Sequence, residues 1–518
     1  MTICKEWLRS AARGTLAAAA AIGGMTPALA YNVNATVNVT ASDAVIPATA
    51  FGIHTSVYDN NFDNTTTPAR LNAIGVNTLR WPGGGYADVY HWSTNATTQF
   101  ENSGSYGYLA PNTDIGHFVR LLLSVTQPQA VITVNYGSSL DGAHGGQPKE
   151  AAALVAYLNG SPSSSQSIGI DGAGHDWHTV GYWAALRAAA PLGSDDGLNF
   201  LRIAHVQPIG VKNWEIGNEV FGNGYLGFGG ENDWHYPYDG TTRTGQAALS
   251  PAAYGANVVS FSQAMKAVDP TIKVGVVFGT EDYDSWASSW DGPALQASCS
   301  AIDFIIWHDY MGYYLAPAYQ YKDPADELAR SGSVATQANA NRGLINTYCG
   351  AHAAQVGQLV TETNGNPLQD EFVNNLFAAD TYAGLLEHGV ANVDWLELHN
   401  TFLDSSDNPQ GPYYAIQLVH TLEVVGDTAV SATTNNSLLT AHASKKTNGG
   451  VAVMLINKDP NNTATVSVAI SGAMLNNKGT LYTFDHGTTS PSSASVSGVG
   501  ASFTATVPAY SIALYVIP

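Results

Sequence analysis

Lys212-Asn213-Trp214-Glu215-Ile216-Gly217-Asn218-Glu219 is the stretch on which the reading of the fold turns. Its apolar centre reads as a short strand. A glycine ends the strand, and a polar pair follows. A parallel barrel puts its reactive groups at that place, in the loops after the C-terminal strand ends. Side chains alternate along a strand, so Glu215, Gly217 and Glu219 share one side. Glu215 lies deeper and is read as structural, paired with a buried Arg or His. Glu219 stands at the rim.

A second stretch answers the first. Gln358-Leu359-Val360-Thr361-Glu362-Thr363-Asn364 is another β-prone run that ends on a glutamate. Two carboxyls at the ends of two parallel strands suit attack on a glycosidic bond, one giving a proton to the leaving oxygen and the other attacking the anomeric carbon.

Working outward from these two runs, strands are expected at about 51–54, 76–81, 130–136, 211–217, 272–278, 301–308, 358–362 and 393–398. Helical spacing is read at 68–74, 114–126, 150–158, 180–190, 251–268 and 413–425. This alternation predicts a (β/α)8 TIM barrel, an α/β fold, over residues 51–425. The Gly/Tyr/Trp/Asp-rich run at 221–244 reads as a loop that walls the site. From 426 to 518 Thr, Ser, Val and Asn dominate between turn pairs, the texture of a C-terminal β-sandwich. Residues 31–50 alternate as strands with no place in the barrel, and are expected to join that sandwich.

Composition narrows the partners. Aromatic residues make up 10% and charged residues only 12% of the 518, with 11 Trp and 26 Tyr. Such a surface suits neutral sugars. Residues 1–30 read as a signal peptide: Lys5, Arg9 and Arg13 precede a short apolar run, and Ala28-Leu29-Ala30 offers a cleavage site after Ala30. A secreted or periplasmic protein is expected. The chain's formal charge is −21; residues 1–30 hold three basic side chains and one acidic, so the remainder stands at −23. That excess of negative charge excludes nucleic acid and anionic membrane as partners. Cys299 and Cys349 each precede an expected strand and lie either as one disulfide at the bottom of the barrel or as two buried thiols. His175-Asp176-Trp177-His178 has only a weak ligand spacing, and no metal is expected there.

The other candidates sit at strand ends. His308 and Tyr310 end the sixth strand and are placed to bond the nucleophile or a sugar hydroxyl. Arg80 ends the second strand and would keep the nucleophile ionised. Trp395 in the eighth offers a flat face for a sugar ring, and Asn218 a hydroxyl ligand.

The set Leu79-Arg80-Trp81-Pro82-Gly83-Gly84, Trp214-Glu215-Ile216-Gly217-Asn218-Glu219, His308-Asp309-Tyr310 and Thr361-Glu362 resembles the retaining glycoside hydrolases of clan A. The first two motifs are most similar to family 51 α-L-arabinofuranosidases. That family usually has a Trp after its nucleophile, whereas Thr363-Asn364 follow here, a feature closer to family 79; families 39 and 30 share parts of the pattern. The resemblance implies Glu219 as acid/base, Glu362 as nucleophile, and Arg80 and Tyr310 as residues orienting it. Asn218, His308, Asn135, Trp81, Tyr86 and Trp395 become subsite candidates. The function expected is hydrolysis of plant or microbial polysaccharide or oligosaccharide, first as an α-L-arabinofuranosidase. A β-glucuronidase, β-xylosidase or glucanase of the same clan is the alternative. No metal or organic cofactor is called for, since two carboxylates do the chemistry. A carbohydrate-binding protein without catalysis would keep the fold and have no need of both glutamates.

Overall fold

The computed structural model describes residues 30–97, 107–136, 146–221, 250–279, 290–310, 324–365 and 371–518. Apart from Ala30 and Phe221, the expected signal peptide and the 221–244 loop lie outside the described residues.

Eight short strands close into a parallel barrel. In chain order they are Phe51–His54, Thr78–Trp81, Gln129–Val134, Asn213–Ile216, Lys273–Val277, Phe304–Asp309, Gly357–Thr363 and Val393–Trp395. They are numbered one to eight below. The expected strands are these, trimmed where the chain leaves the barrel wall. The strands are nearly continuous apolar runs because both faces are covered, the outer by helices and the inner by the barrel's own filling. Between strands, polar punctuation starts the helices. Asp114 accepts hydrogen bonds from the amides of Gly116 and His117 and starts the helix Ile115–Leu123. Ser250 caps Pro251–Val268, with proline in its first turn. Among the described residues, no helix is long and apolar enough to cross a membrane.

Nine strands form the second sheet, which folds back around a core of its own that includes Val33, Val37, Val453, Val466 and Ala505. The chain's first strand, Tyr31–Val45, lies inside this sheet and not at its edge. It runs parallel to Ala464–Ser471 on one side and antiparallel to Thr428–Thr434 on the other. Its even alternation, with Val33, Ala35, Val37 and Val39 buried, is what seats it there. Cys299 and Cys349 are bonded across 50 residues, their Cα atoms 5.2 Å apart, joining the segments that lead into strands six and seven. Closing a loop of that length removes ~4 kcal/mol of chain entropy from the unfolded state.

Charge pairs tie the two domains together. Lys458 Nζ donates to Asp380 Oδ2 at 2.7 Å and to the Leu328 carbonyl at 2.9 Å. His442 lies between two barrel carboxylates, with Nε2 3.0 Å from Asp380 Oδ1 and Nδ1 3.0 Å from Glu387 Oε1. Burial alone would push its imidazole down, but Glu387 and Asp380 outweigh burial and raise it to about 10. A histidine whose proton is held more tightly when folded stabilises fully below its unfolded pKa, roughly 6.5, and loses that contribution as pH rises through the folded value. Melting temperature should therefore fall more steeply between about pH 7 and 10 in wild type than in His442→Gln. Equal slopes would contradict the pairing.

Candidate active site

The glycine turn after strand two and the glycine bend after strand four build the site. Gly217 has φ 76°, and a side chain there would come within 2.5 Å of Val220 and 2.9 Å of Tyr136. Only glycine turns the chain this sharply at no steric cost, and the turn carries Asn218 and Glu219 over the barrel mouth. Glu219 itself has φ 26°, a conformation that residues other than glycine seldom hold and that clusters at functional sites. Gly84 has φ 38°, and a Cβ placed on it would lie 3.7 Å from Glu362 Oε1. The backbone therefore passes close to the second carboxyl and leaves open space beside it.

Arg80 is the hub of the barrel interior and is fully buried. Its Nε donates to Glu215 Oε1 at 2.6 Å, and Nη2 to Glu215 Oε2 at 3.2 Å and Asn218 Oδ1 at 2.9 Å. Nη1 donates to Glu362 Oε1 at 2.6 Å and to His54 Nδ1 at 2.9 Å. All five N–H directions of the guanidinium are thus used, which a lysine could not reproduce. Glu215 is the structural partner that its depth suggested.

The two strand-end glutamates meet over this hub. Tyr310 Oη donates to Glu362 Oε2 at 2.6 Å, opposite the Arg80 bond. His308 Nδ1 lies 2.8 Å from Glu219 Oε1 and 3.6 Å from Glu362 Oε2, between the two carboxyls. One carboxylate oxygen each of Glu219 and Glu362, together with a His308 ring nitrogen, lie within 4.8 Å of one another. Their surroundings differ. Burial would push the Glu362 carboxyl up, but the positive charges of His308 and Arg80 and the Tyr310 hydroxyl outweigh it and hold it at about 2. Glu362 is therefore a carboxylate at any working pH. Its side chain is 7% exposed, whereas that of Glu219 is 26% exposed and reaches toward solvent. For His308, burial favours the neutral ring, but the carboxylates of Glu362 and Glu219 raise its basicity overall.

Two side chains escaped the sequence reading. His54 ends strand one and accepts from Arg80, so its proton sits on Nε2; burial holds it neutral, at about 3. Asp88, at the end of the 3-10 turn Gly84–Asp88, accepts from the Asn218 amide at 3.2 Å and the Tyr136 amide at 3.4 Å, fixing the bend that carries Glu219. Tyr86 packs against Tyr58 with ring centres 4.8 Å apart. Asn135 Nδ2 donates to the Tyr90 carbonyl at 3.2 Å, and its buried Oδ1 accepts from no described residue.

Two expected subsite residues are not in the site. Trp81 is fully buried, stacks on Phe118 and donates from Nε1 to the Thr113 carbonyl. Trp395 is fully buried too, near Tyr382, with Nε1 on Thr401 Oγ1. The pleat is the reason: Arg80 and Asp394 take the inward positions, so the next residue in each strand points out toward the helices.

No protein-family model matches the sequence, and no curated protein does. Solved structures do match. The chain is similar to an α-L-arabinofuranosidase from Thermotoga maritima in its arabinose complex, at 18% identity, covering 94% of this chain and 99% of that one, with a TM-score of 0.69. It shares the fold. A GH51 arabinofuranosidase from Xanthomonas axonopodis pv. citri is similar at 16% identity, 94% and 100% coverage and a TM-score of 0.69. Cel44A, a GH family 44 endoglucanase from Clostridium thermocellum, follows at 16% identity, 94% and 100% coverage and a TM-score of 0.61. The likeness spans both domains, so the fold is shared over the barrel and the appended sandwich alike.

Proposed function

We propose that the protein is a retaining glycoside hydrolase that is exported from the cell. The observation that carries this is the glutamate pair: two carboxylate oxygens within 4.8 Å, one clamped as an anion by Arg80 and Tyr310 and the other at the rim. Double displacement uses carboxyls about 5–5.5 Å apart, while inversion needs about 6.5–9.5 Å to admit a water. In the first step Glu219 protonates the glycosidic oxygen as a Glu362 oxygen attacks the anomeric carbon. The aglycone leaves and an ester forms. In the second step Glu219 takes a proton from water, which attacks the same carbon and frees Glu362. Arg80 and Tyr310 keep Glu362 charged and aimed, and His308 fixes the Glu219 carboxyl.

The first substrate to consider is an α-L-arabinofuranoside, on the likeness to the arabinofuranosidases named above together with the Trp-Glu-Ile-Gly-Asn-Glu motif. A β-xyloside or other neutral glycoside of the same clan comes next. The test is a panel of 4-nitrophenyl glycosides: α-L-arabinofuranoside, β-D-xyloside, β-D-glucoside, β-D-galactoside and β-D-glucuronide. Wild type should release one sugar with its anomeric configuration retained by NMR. Glu219→Ala should lose about 10²–10⁴-fold, less on substrates with good leaving groups. A product of inverted configuration would reject double displacement.

A further inference from the structure

A third carboxyl stands at the mouth beside the pair. Glu397 lies just past strand eight, next in the barrel to the strand that carries Glu362 and to strand one. Its Oε2 accepts from Tyr58 Oη at 2.9 Å and Ser56 Oγ at 3.2 Å. Its Oε1 accepts from Asn400 Nδ2 at 2.7 Å. Asn400 is solvent-exposed and held at φ 88°, so the chain bends sharply to aim that amide. Neither Glu397 nor Tyr58 is fully closed off from solvent.

What joins Glu397 to the catalytic pair is a strip without side chains. Gly83 packs on Ser56, where an added Cβ would lie 2.8 Å from Ser56 Oγ, and an added Cβ on Gly84 would lie 3.7 Å from Glu362 Oε1. Tyr58 feels the charges of both Glu397 and Glu362, and its ring packs against Tyr86. A sugar attached to Glu362 at its anomeric carbon would lie across the glycines, with the far side of its ring toward Glu397.

We infer that Glu397 accepts a hydroxyl of the sugar held over Glu362 and restricts that position to neutral sugars. This rests on the hydrolase reading and deepens it. With Tyr58, Ser56 and Asn400 on three of its roughly four acceptor sites, the carboxylate has one left for a short, strong bond from a ring hydroxyl. A uronic acid would bring a second carboxylate against it. The described cations at the mouth are already committed: Arg80 to Glu215 and Glu362, His308 to Glu219 and Glu362.

The experiment takes wild type and Glu397→Gln through the nitrophenyl panel, then through monodeoxy forms of the glycoside that wild type cleaves. Glu397→Gln, equal in size and melting at the wild-type temperature, should lose about 10–100-fold in kcat/KM, the cost of one charge-assisted bond. For one monodeoxy glycoside, wild type and variant should converge. A purely structural role would leave the variant's loss unchanged on every deoxy substrate, and that result overturns the inference. If the variant does not fold, the wild-type enzyme decides: the best neutral glycoside should exceed the glucuronide by at least ~100-fold, and a glucuronide preference overturns the inference. An active wild type with an indifferent Glu397→Gln rejects only the role of Glu397. A wild type that cleaves nothing and forms no covalent adduct with 2-fluoro glycosides rejects the hydrolase reading itself.

Discussion

Glu362→Ala is expected to lower kcat on an activated glycoside by about 10⁴–10⁶-fold, the scale at which enzymes lose a covalent nucleophile. The structure also says what should survive. Arg80 keeps its bidentate partner Glu215 and its bond to Asn218, so the barrel interior stays paired and the variant should fold. Alanine leaves a hole beside Gly84 into which Arg80 Nη1 and Tyr310 Oη still point. Two converging donors make a site for a small anion. Added azide should enter it, attack the anomeric carbon and restore turnover. The product would be a glycosyl azide of configuration opposite to the substrate, because one displacement replaces two. Residual activity above about 1% of wild type, without azide, would remove Glu362 from the nucleophile's role.

Arg80→Met should hurt twice, in stability and in chemistry. The substitution keeps the volume roughly and deletes five N–H donors. Glu215 and Glu362 are then left buried without their cation, a change that typically costs 3–5 kcal/mol. Denaturant unfolding would read this as a lower midpoint with an unchanged slope. In the chemistry, one of the charges that hold the Glu362 carboxyl down at about 2 is gone, while that of His308 remains. With burial less opposed, its pKa must rise, so a larger share of the nucleophile is protonated in acid. The acid limb of kcat/KM against pH should move upward, together with a loss of at least ~10²-fold at its maximum. A variant with the wild-type acid limb would show that Arg80 is only structural. Arg80→Lys separates the terms: it restores a charge and not the fork, and should recover part of the acid limb with little of the rate.

How much of this the sequence disclosed depends on which physical signal each residue carries. The eight barrel strands were legible because strands buried on both faces read as apolar runs, and each ends where polarity returns. The placement of Glu219 and Glu362 was legible for the same reason, the first just past the end of strand four and the second near the end of the run that forms strand seven. Glu215 followed from alternation and depth. Trp395 was placed by its aromatic character at a strand end, and Trp81 by the family resemblance. The pleat decides instead, and the inward places belong to Arg80 and Asp394. His54, Asp88 and Glu397 act through contacts that are distant in sequence. Asp88 reaches the Asn218 amide 130 residues on, and Glu397 meets Tyr58 across 339 residues. No local pattern encodes such meetings; they appear only once the barrel closes.

The first strand of the chain sets a clock on folding. Ala464–Ser471 and Ser502–Val507 pair with each other, and among the described residues their only ladder to the remaining strands runs through Tyr31–Val45. Tyr31–Val45 must therefore wait for residues 464–507 before this part of the sheet can exist. At the usual pace of synthesis, about 5–20 residues per second, that wait lasts tens of seconds. Until then the second sheet of the emerging chain is unfinished.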